Sequence, residues 1–149
     1  MDKEAVIERY ITLLNELNEP ARNLVLSAGS ALVVLGVRET TADLDVDVPE
    51  GVFKVYERSG KFEVTAATLD ISKRLKFDVD VDLHILDEDR GRACLNGVWI
   101  YSPNELLIQK RYLSNLEGRD AEKRAADLVD ITALETLIKG RNYAARVMA

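Results

Sequence analysis

The segment LVLSAGSALVVLGVRETTADLDVDV, residues 24–48, determines the fold that this sequence predicts. It opens with a short apolar run, Leu24-Val25-Leu26, which predicts a strand that ends at a turn containing Gly29-Ser30. Ala31 to Leu35 then predicts a buried helix, stopped by Gly36. The segment therefore indicates a strand, a turn and a helix in direct succession.

The segment ends in a strand with one acidic face. From Asp43 to Val48 acidic and aliphatic residues alternate, and this period of two predicts a half-buried strand. Its polar face carries Asp43, Asp45 and Asp47.

A second and longer alternation runs from Leu75 to Ile85 and predicts a single continuous strand. Its polar face carries Lys76, Asp78, Asp80, Asp82 and His84.

The repeated aspartates on these strands need an explanation, because aspartate is a poor strand former. If the two strands are neighbours, their like charges repel unless a cation or solvent intervenes. Mg²⁺, or Mn²⁺ in its place, prefers carboxylate oxygens and bridges them to substrate phosphates. The polar face of an antiparallel sheet can also simply be solvated, and that interpretation stays open for either strand.

The turn at Gly29-Ser30 indicates a phosphate site. Glycine lets a ligand approach the backbone, and the N-terminus of the following helix offers free N–H groups to an anion. The Gly-Ser dipeptide alone is weak evidence for a phosphate site. It becomes stronger because a single helix joins this turn to the acidic strand, which would link the phosphate site to a metal site.

The flanking segments predict helices and short strands. On the N-terminal side of the segment 24–48, the sequence predicts a helix over 5–17. On its C-terminal side it predicts a helix from Pro49 to Gly60, a strand over 61–66 and a strand ending at 98–101. Ser102-Pro103-Asn104-Glu105 predicts a capping box that opens a helix to about Leu116, and a long amphipathic helix should end near Gly140. The order predicts a single α+β domain over 1–149, with a small mixed or antiparallel sheet in a core over about 20–101 and C-terminal helices over about 102–149.

Composition narrows the class of protein. The 149 residues are 47% hydrophobic and 31% charged, which suits one globular domain, and the net charge of −6 disfavours a dedicated duplex DNA binder. One cysteine excludes an intrachain disulfide, and no run of about 18 apolar residues suggests a membrane span. We therefore expect a cytoplasmic protein that does not bind membranes.

The middle of the chain resembles the DNA-polymerase-beta-like nucleotidyltransferase superfamily. The matching residues are Gly29-Ser30 with the helix after them, Gly36-Val37-Arg38, Thr41-Ala42-Asp43-Leu44-Asp45 and Val81-Asp82-Leu83-His84. The C-terminal segment is similar to the helical tail of small prokaryotic members related to abortive-infection nucleotidyltransferases.

The resemblance implies a role for each matching residue. Gly29-Ser30 would hold the nucleotide triphosphate, Asp43 and Asp45 would bind metal, and Asp82 would complete the metal site and activate the acceptor hydroxyl. Asp80, on the same predicted strand face, is the alternative third acid and metal ligand. The remaining strand acids, Asp47 and Asp78, are expected to be solvated.

Three further residues each have two interpretations. Arg38 could clamp the triphosphate or be an ordinary surface arginine. Lys110, on an inward helical face, could meet phosphate or cover apolar surface with its stem. His84 could touch the acceptor or a phosphate, or serve as a polar partner on the sheet. Two acids of the last helix, Asp127 and Asp130, are expected on its solvated face.

These features predict an enzyme that transfers a nucleoside monophosphate from an NTP to a hydroxyl acceptor and releases pyrophosphate. The acceptor could be a small molecule, a protein or an RNA end, and a toxin-like or phage-defence role follows only by analogy. One alternative is a catalytically inactive nucleotide-binding or protein-interaction module of the same fold. Another is a cation-binding or purely structural domain.

Overall fold

The computed structural model describes residues 1–66 and 73–148, with side chains as far as residue 142. The chain divides into two compact units, Met1–Tyr101 and Ser102–Ala149. The expected single domain over 1–149 stays a prediction.

The N-terminal unit is built on a mixed sheet of seven described strands. They are β1 (Val25–Leu26), β2 (Leu44–Val48), β3 (Val64–Ala66), β4 (Lys73–Asp78), β5 (Val81–Ile85), β6 (Arg92–Leu95) and β7 (Val98–Tyr101). The strand order is β3-β4-β5-β2-β1-β7-β6. Strand β2 runs parallel to β5, and β1 runs parallel to β7, whereas the other pairs are antiparallel. The predicted α+β class with a mixed sheet is confirmed.

Three helices belong to this unit. They are α1 (Lys3–Leu17), α2 (Ala28–Leu35) and α3 (Glu50–Arg58), and a single 3₁₀ turn spans Ala21–Asn23. Helix α1 begins where the Asp2 carboxylate accepts a hydrogen bond from the Ala5 N–H, and α2 ends at Gly36, whose φ of 80° suits glycine. Helix α2 begins three residues earlier than predicted, so Gly29 and Ser30 lie in its first turn.

The continuous strand predicted over 75–85 is wrong. The chain turns at Val79-Asp80 and forms the antiparallel hairpin β4–β5, in which Leu75 pairs with Leu83. The turn is hidden in the sequence because Asp78-Val79-Asp80 continues the acid–aliphatic alternation without glycine, proline or asparagine. Val79 is 82% exposed, and the Asp78 carboxylate accepts a hydrogen bond from its N–H.

A second hairpin also replaces part of the predicted pattern. Strands β6 and β7 are joined by Asn96-Gly97, whose φ values of 51° and 83° are those of a tight hairpin turn. The Asn-Gly dipeptide is a strong hairpin signal, and it divides the segment before Tyr101 into two strands. The polar segment over 87–92 therefore leads into an additional strand.

The C-terminal unit consists of helices α4 (Pro103–Ser114) and α5 (Ala121–Met148), which pack against each other. Helix α4 starts at the predicted proline, but the Ser102 hydroxyl makes no capping hydrogen bond. Helix α5 continues past Gly140 to Met148, because one glycine costs only about 1 kcal/mol relative to alanine inside a helix. Among the helices of the described residues, none is both long and apolar enough to cross a membrane.

Candidate active site

The two acidic strands are neighbours in the sheet. Parallel pairing of β2 with β5 places Asp45 directly opposite Asp82, and Asp47 opposite His84. Partner residues in a parallel pair project to the same face, so two carboxylates lie side by side at this position. The condition on which the predicted cation site depends is therefore met.

The Asp82 carboxylate is buried without full compensation. Its side chain is 5% exposed, and Oδ1 has no hydrogen-bond partner among the described residues. The Lys76 Nζ lies 3.3 Å from that oxygen, which is ion-pair distance but lacks hydrogen-bond geometry. A buried carboxylate oxygen in this state has a lone pair free for a cation or a proton.

Asp82 lines a cavity of about 230 Å³. The wall of the cavity consists of Asp43, Glu63, Thr65, Arg74, Lys76 and Asp82. The structure thus brings two of the predicted site acids, Asp43 and Asp82, to one polar cavity. The residues from β3 and β4 were missed in the sequence, because the hairpin that folds β4 against Asp82 was read there as one strand.

Asp45 is held by the only histidine of the chain. The Nε2 atom of His84 lies 3.1 Å from Oδ1 of Asp45. Burial, the largest influence, lowers the pKa of His84, but the hydrogen bond to Asp45 and the charges of Asp47, Asp45 and Asp82 outweigh it and raise the pKa above its usual value. The histidine therefore contacts Asp45 within the sheet, and its use at the acceptor or at a phosphate stays a prediction.

Asp47 is not the solvated neighbour that the alternation predicted. Its carboxylate is buried and accepts hydrogen bonds from the Ser27 hydroxyl at 3.1 Å and the Tyr101 hydroxyl at 2.6 Å. Burial is the main cause that raises the pKa of Asp47, against the opposing effect of the His84 charge. The local sequence carries no signal for this burial, because both partners lie in distant segments.

The Ser30 hydroxyl ties the first turn of α2 to β2. The side chain is fully buried; its Oγ lies 2.8 Å from the Ser27 carbonyl and 3.1 Å from the Asp45 carbonyl. It also accepts a hydrogen bond of 3.2 Å from the Asp45 N–H. Ser30 thereby fixes the backbone that carries Asp45.

Gly29 leaves space for a close approach at the same turn. A Cβ atom there would lie 2.5 Å from the Arg38 guanidinium and 2.7 Å from the Thr41 hydroxyl. Only glycine fits without displacing these groups. The structure therefore brings the predicted nucleotide-binding residues Gly29 and Arg38 together.

Asp80 does not share a strand with Asp82, so the basis for treating it as an alternative third acid is wrong. It lies in the β4–β5 turn, and its Oδ1 is 3.4 Å from Arg9 Nε on helix α1. Arg9 also bonds to Asp78 at 3.0 Å. These two acids attach the turn to α1 and do not line the cavity.

Lys110 belongs to the C-terminal unit, where it lies in a buried charge cluster. Its Nζ is 3.2 Å from Asp127 and 3.1 Å from Asp130, and Arg119 donates two hydrogen bonds to Asp127. The expectation that Asp127 and Asp130 are solvated is wrong, since both are buried. A nucleotide-binding role for Lys110 stays a prediction.

The donor set suits a divalent cation that is completed by a substrate. In residues 1–66 and 73–148, no group of three or more acidic, histidine or cysteine side chains is arranged to hold a metal unaided. Mg²⁺ is commonly held by one or two carboxylates together with water and substrate phosphates. The free Oδ1 of Asp82 fits that requirement, and the Lys76 ammonium beside it shows that the position accepts positive charge.

Comparison with known proteins does not assign a family. No protein-family model matches the chain. No curated protein matches it. The chain is similar to the solution structure of the antibiotic-resistance factor ANT(2'')-Ia, with a TM-score of 0.48 and 16% sequence identity over 99% of this chain and 98% of that chain. A likeness at this level identifies no function, so the site is interpreted from its own residues.

Proposed function

We propose that this protein is a metal-dependent nucleotidyltransferase that transfers a nucleoside monophosphate from an NTP to a hydroxyl acceptor. The observation that carries the proposal is the pairing of Asp45 with Asp82 across two parallel strands, with one Asp82 oxygen buried and unbonded. Paired carboxylates with an open coordination position suit phosphoryl transfer, where catalysis depends on positioning and charge neutralisation. The resemblance of the Gly29-Ser30 and Asp43-Leu44-Asp45 segments to nucleotidyltransferases supports the same function.

In this proposal Asp43, Asp45 and Asp82 would hold Mg²⁺, or Mn²⁺ in its place, together with the substrate phosphates. The bound cation would neutralise charge on the transferring phosphoryl group and orient the attacking hydroxyl. His84 keeps the Asp45 carboxylate in one orientation through its 3.1 Å contact. Asp82, which is paired with Asp45 across the two strands, has one oxygen without a hydrogen-bond partner among the described residues.

The nucleotide would bind at the first turn of α2. Free N–H groups at a helix N-terminus attract phosphate, and the absence of a side chain at Gly29 lets the Arg38 guanidinium lie against the backbone of this turn. Arg38, whose guanidinium lies beside Gly29, supplies positive charge at the same turn.

The reaction requires one proton to move. The acceptor oxygen attacks the α-phosphorus, the bond from that phosphorus to the β-phosphate oxygen breaks, and pyrophosphate leaves. The Asp82 carboxylate would take the proton from the acceptor hydroxyl.

Calorimetric titration of each NTP, with and without Mg²⁺, tests the proposal. Wild type should bind an NTP only with Mg²⁺, and Asp43→Asn and Asp45→Asn should weaken that binding by more than about tenfold. Asp89→Asn, in an exposed turn, is the matched control and should bind as wild type does.

Two outcomes would contradict the proposed nucleotidyltransferase activity. Absence of NTP binding in folded wild type would favour a structural domain, whereas NTP binding that ignores Mg²⁺ and both aspartate variants would favour an inactive nucleotide-binding module. Pyrophosphate release from labelled NTP with candidate acceptors would then measure transfer itself.

A further inference from the structure

The line of site carboxylates lies between two groups of positive charge. In the order β4-β5-β2-β1, Asp82 and Asp45 occupy the central strands. On one side, the chain leaves β1 for the Gly29 turn and the nearby Arg38. On the other side, β4 presents Arg74 and Lys76 to the same cavity as Asp82. A nucleotide bound at the Gly29 turn therefore leaves the β4 side free for a second ligand.

Arg74 is a half-buried cation that lines the cavity and has no partner among residues 1–66 and 73–148. No residue in the described part of the chain gives its guanidinium a hydrogen bond or an ion pair, although it lines the cavity. Its neighbours on the same strand differ, because Lys73 is paired with Glu57 at 3.0 Å and Lys76 with Asp82 at 3.3 Å. A guanidinium offers five N–H donors in a planar fork that matches a phosphate or carboxylate.

Size and charge limit what the cavity can receive. About 230 Å³ is smaller than most drug-sized sites, so it suits a compact polar molecule. The net charge of −6 opposes binding of a long polyanion, which would need many phosphate contacts. The cavity wall carries three carboxylates and two cations: Asp43, Glu63, Asp82, Arg74 and Lys76. One anionic group on a small molecule can bind the two cations when a metal ion offsets the carboxylates.

We propose that Arg74 and Lys76 form the acceptor subsite, and that the acceptor is a small hydroxyl compound carrying a phosphate group. This inference rests on the proposed nucleotidyl transfer and names the substrate class for it. Arg74 binds the phosphate as a fork, and Lys76 adds charge between that phosphate and Asp82. The hydroxyl of the acceptor then points along β4 toward the Asp82 carboxylate, which takes its proton.

Arginine-detected NMR provides a test that does not depend on turnover. The protein is first saturated with Mg²⁺ and a non-hydrolysable NTP analogue, so that the nucleotide site is filled. Glucose 6-phosphate is then titrated while the Nε–H resonance of Arg74, assigned by its loss in Arg74→Gln, is followed. We expect a saturable shift in wild type and no comparable shift with glucose. Calorimetric titration of glucose 6-phosphate, which does not depend on the Arg74 resonance, should give at least about tenfold weaker binding in Arg74→Gln and Lys76→Gln.

Lys73→Gln is the matched control, because Lys73 lies on the same strand but pairs with Glu57 outside the cavity. It should bind glucose 6-phosphate as wild type does. Equal binding of glucose, or unchanged binding in folded Arg74→Gln, would overturn the inference. Tighter, Arg74-dependent binding of a short RNA with a free 3′ hydroxyl would also overturn it, in favour of a nucleic-acid acceptor.

The two proposals can fail separately. If the analogue does not bind, the proposed function fails, and the Arg74 resonance still reports phosphate binding in the protein without nucleotide. If the analogue binds with Mg²⁺ but glucose 6-phosphate leaves Arg74 unchanged, only the acceptor inference fails.

Discussion

The Nε2 atom of His84 lies 3.1 Å from Oδ1 of Asp45, and the two residues come from adjacent parallel strands. Asp45 is also anchored through its backbone, since Ser30 bonds to both its N–H and its carbonyl oxygen. The side chain and the main chain of one site carboxylate are thus fixed independently. Such double anchoring would keep Asp45, the proposed metal ligand, in place before any substrate arrives.

We expect His84 to titrate above pH 6.5 in the metal-free protein. Burial lowers its pKa, but the hydrogen bond to Asp45 and three neighbouring carboxylates raise it by more. Since it is the only histidine, one NMR titration of the imidazole carbons gives the midpoint directly. Asp45→Asn should move the midpoint down, and a wild-type midpoint at or below 6.5 would contradict the expectation.

The same shift has a defined effect on stability. A histidine whose folded pKa lies above its unfolded value contributes stability that is fully present below about pH 6.5 and is lost as the pH rises through the folded pKa. The difference in urea-unfolding free energy between wild type and His84→Asn should therefore be larger at pH 5.5 than at pH 9. A difference that is equal at the two values would rule out this linkage.

Ser30→Ala should destabilise the N-terminal unit by about 1–3 kcal/mol, because it removes the hydroxyl that accepts a hydrogen bond from the partly buried backbone N–H of Asp45. Urea unfolding followed by circular dichroism measures the loss. Ser59→Ala, at an exposed hydroxyl that bonds only locally, should change stability by less than about 0.5 kcal/mol. Similar losses in the two variants would show that the Ser30 link is unimportant.

Gly29→Ala should be destabilising, by about 1–3 kcal/mol, since its methyl group would overlap the Arg38 guanidinium and the Thr41 hydroxyl. Displacement of Arg38 should also weaken NTP binding. Gly51→Ala is the matched control: no atom lies within 4 Å of its added Cβ in helix α3, and alanine there should stabilise by about 0.5–1 kcal/mol. Thermal unfolding and NTP titration together measure both effects, and a Gly29→Ala protein as stable as Gly51→Ala would refute the close contact.

The sequence predicted most of the elements because local periodicity is strong where one face is buried. Strand β2 was found by its alternation, and α2 by the glycine that ends it. The β4–β5 turn was missed because the chain reverses inside an uninterrupted acid–aliphatic pattern. The predicted end of helix α5 near Gly140 is too early, because the helix-forming residues around this single glycine outweigh its effect.

Side-chain environments were harder to predict than elements. Asp47 is buried by partners 20 and 54 residues away, Ser27 and Tyr101, so nothing near it in the sequence distinguishes it from a solvated strand acid. The position of Arg74 in the cavity could not be predicted from the sequence, because it depends on the hairpin that places β4 beside Asp82. The pairing of Asp45 with Asp82 is the exception, since equal spacing of acids on two strands already indicated that they could meet.

Lys110→Met should destabilise the C-terminal unit by about 3 kcal/mol or more, because it removes a cation from buried Asp127 and Asp130 and leaves their charges undercompensated. Hydrogen–deuterium exchange of peptides covering 103–114 and 121–142 should accelerate. Lys123→Met, at an exposed position of α5, should leave exchange unchanged. If Lys110 also binds nucleotide, as the sequence predicts, Lys110→Met will weaken Mg²⁺-dependent NTP binding even under conditions where the unit remains folded. Unchanged exchange in Lys110→Met would mean that the buried ion pairs contribute little to the packing of α4 on α5.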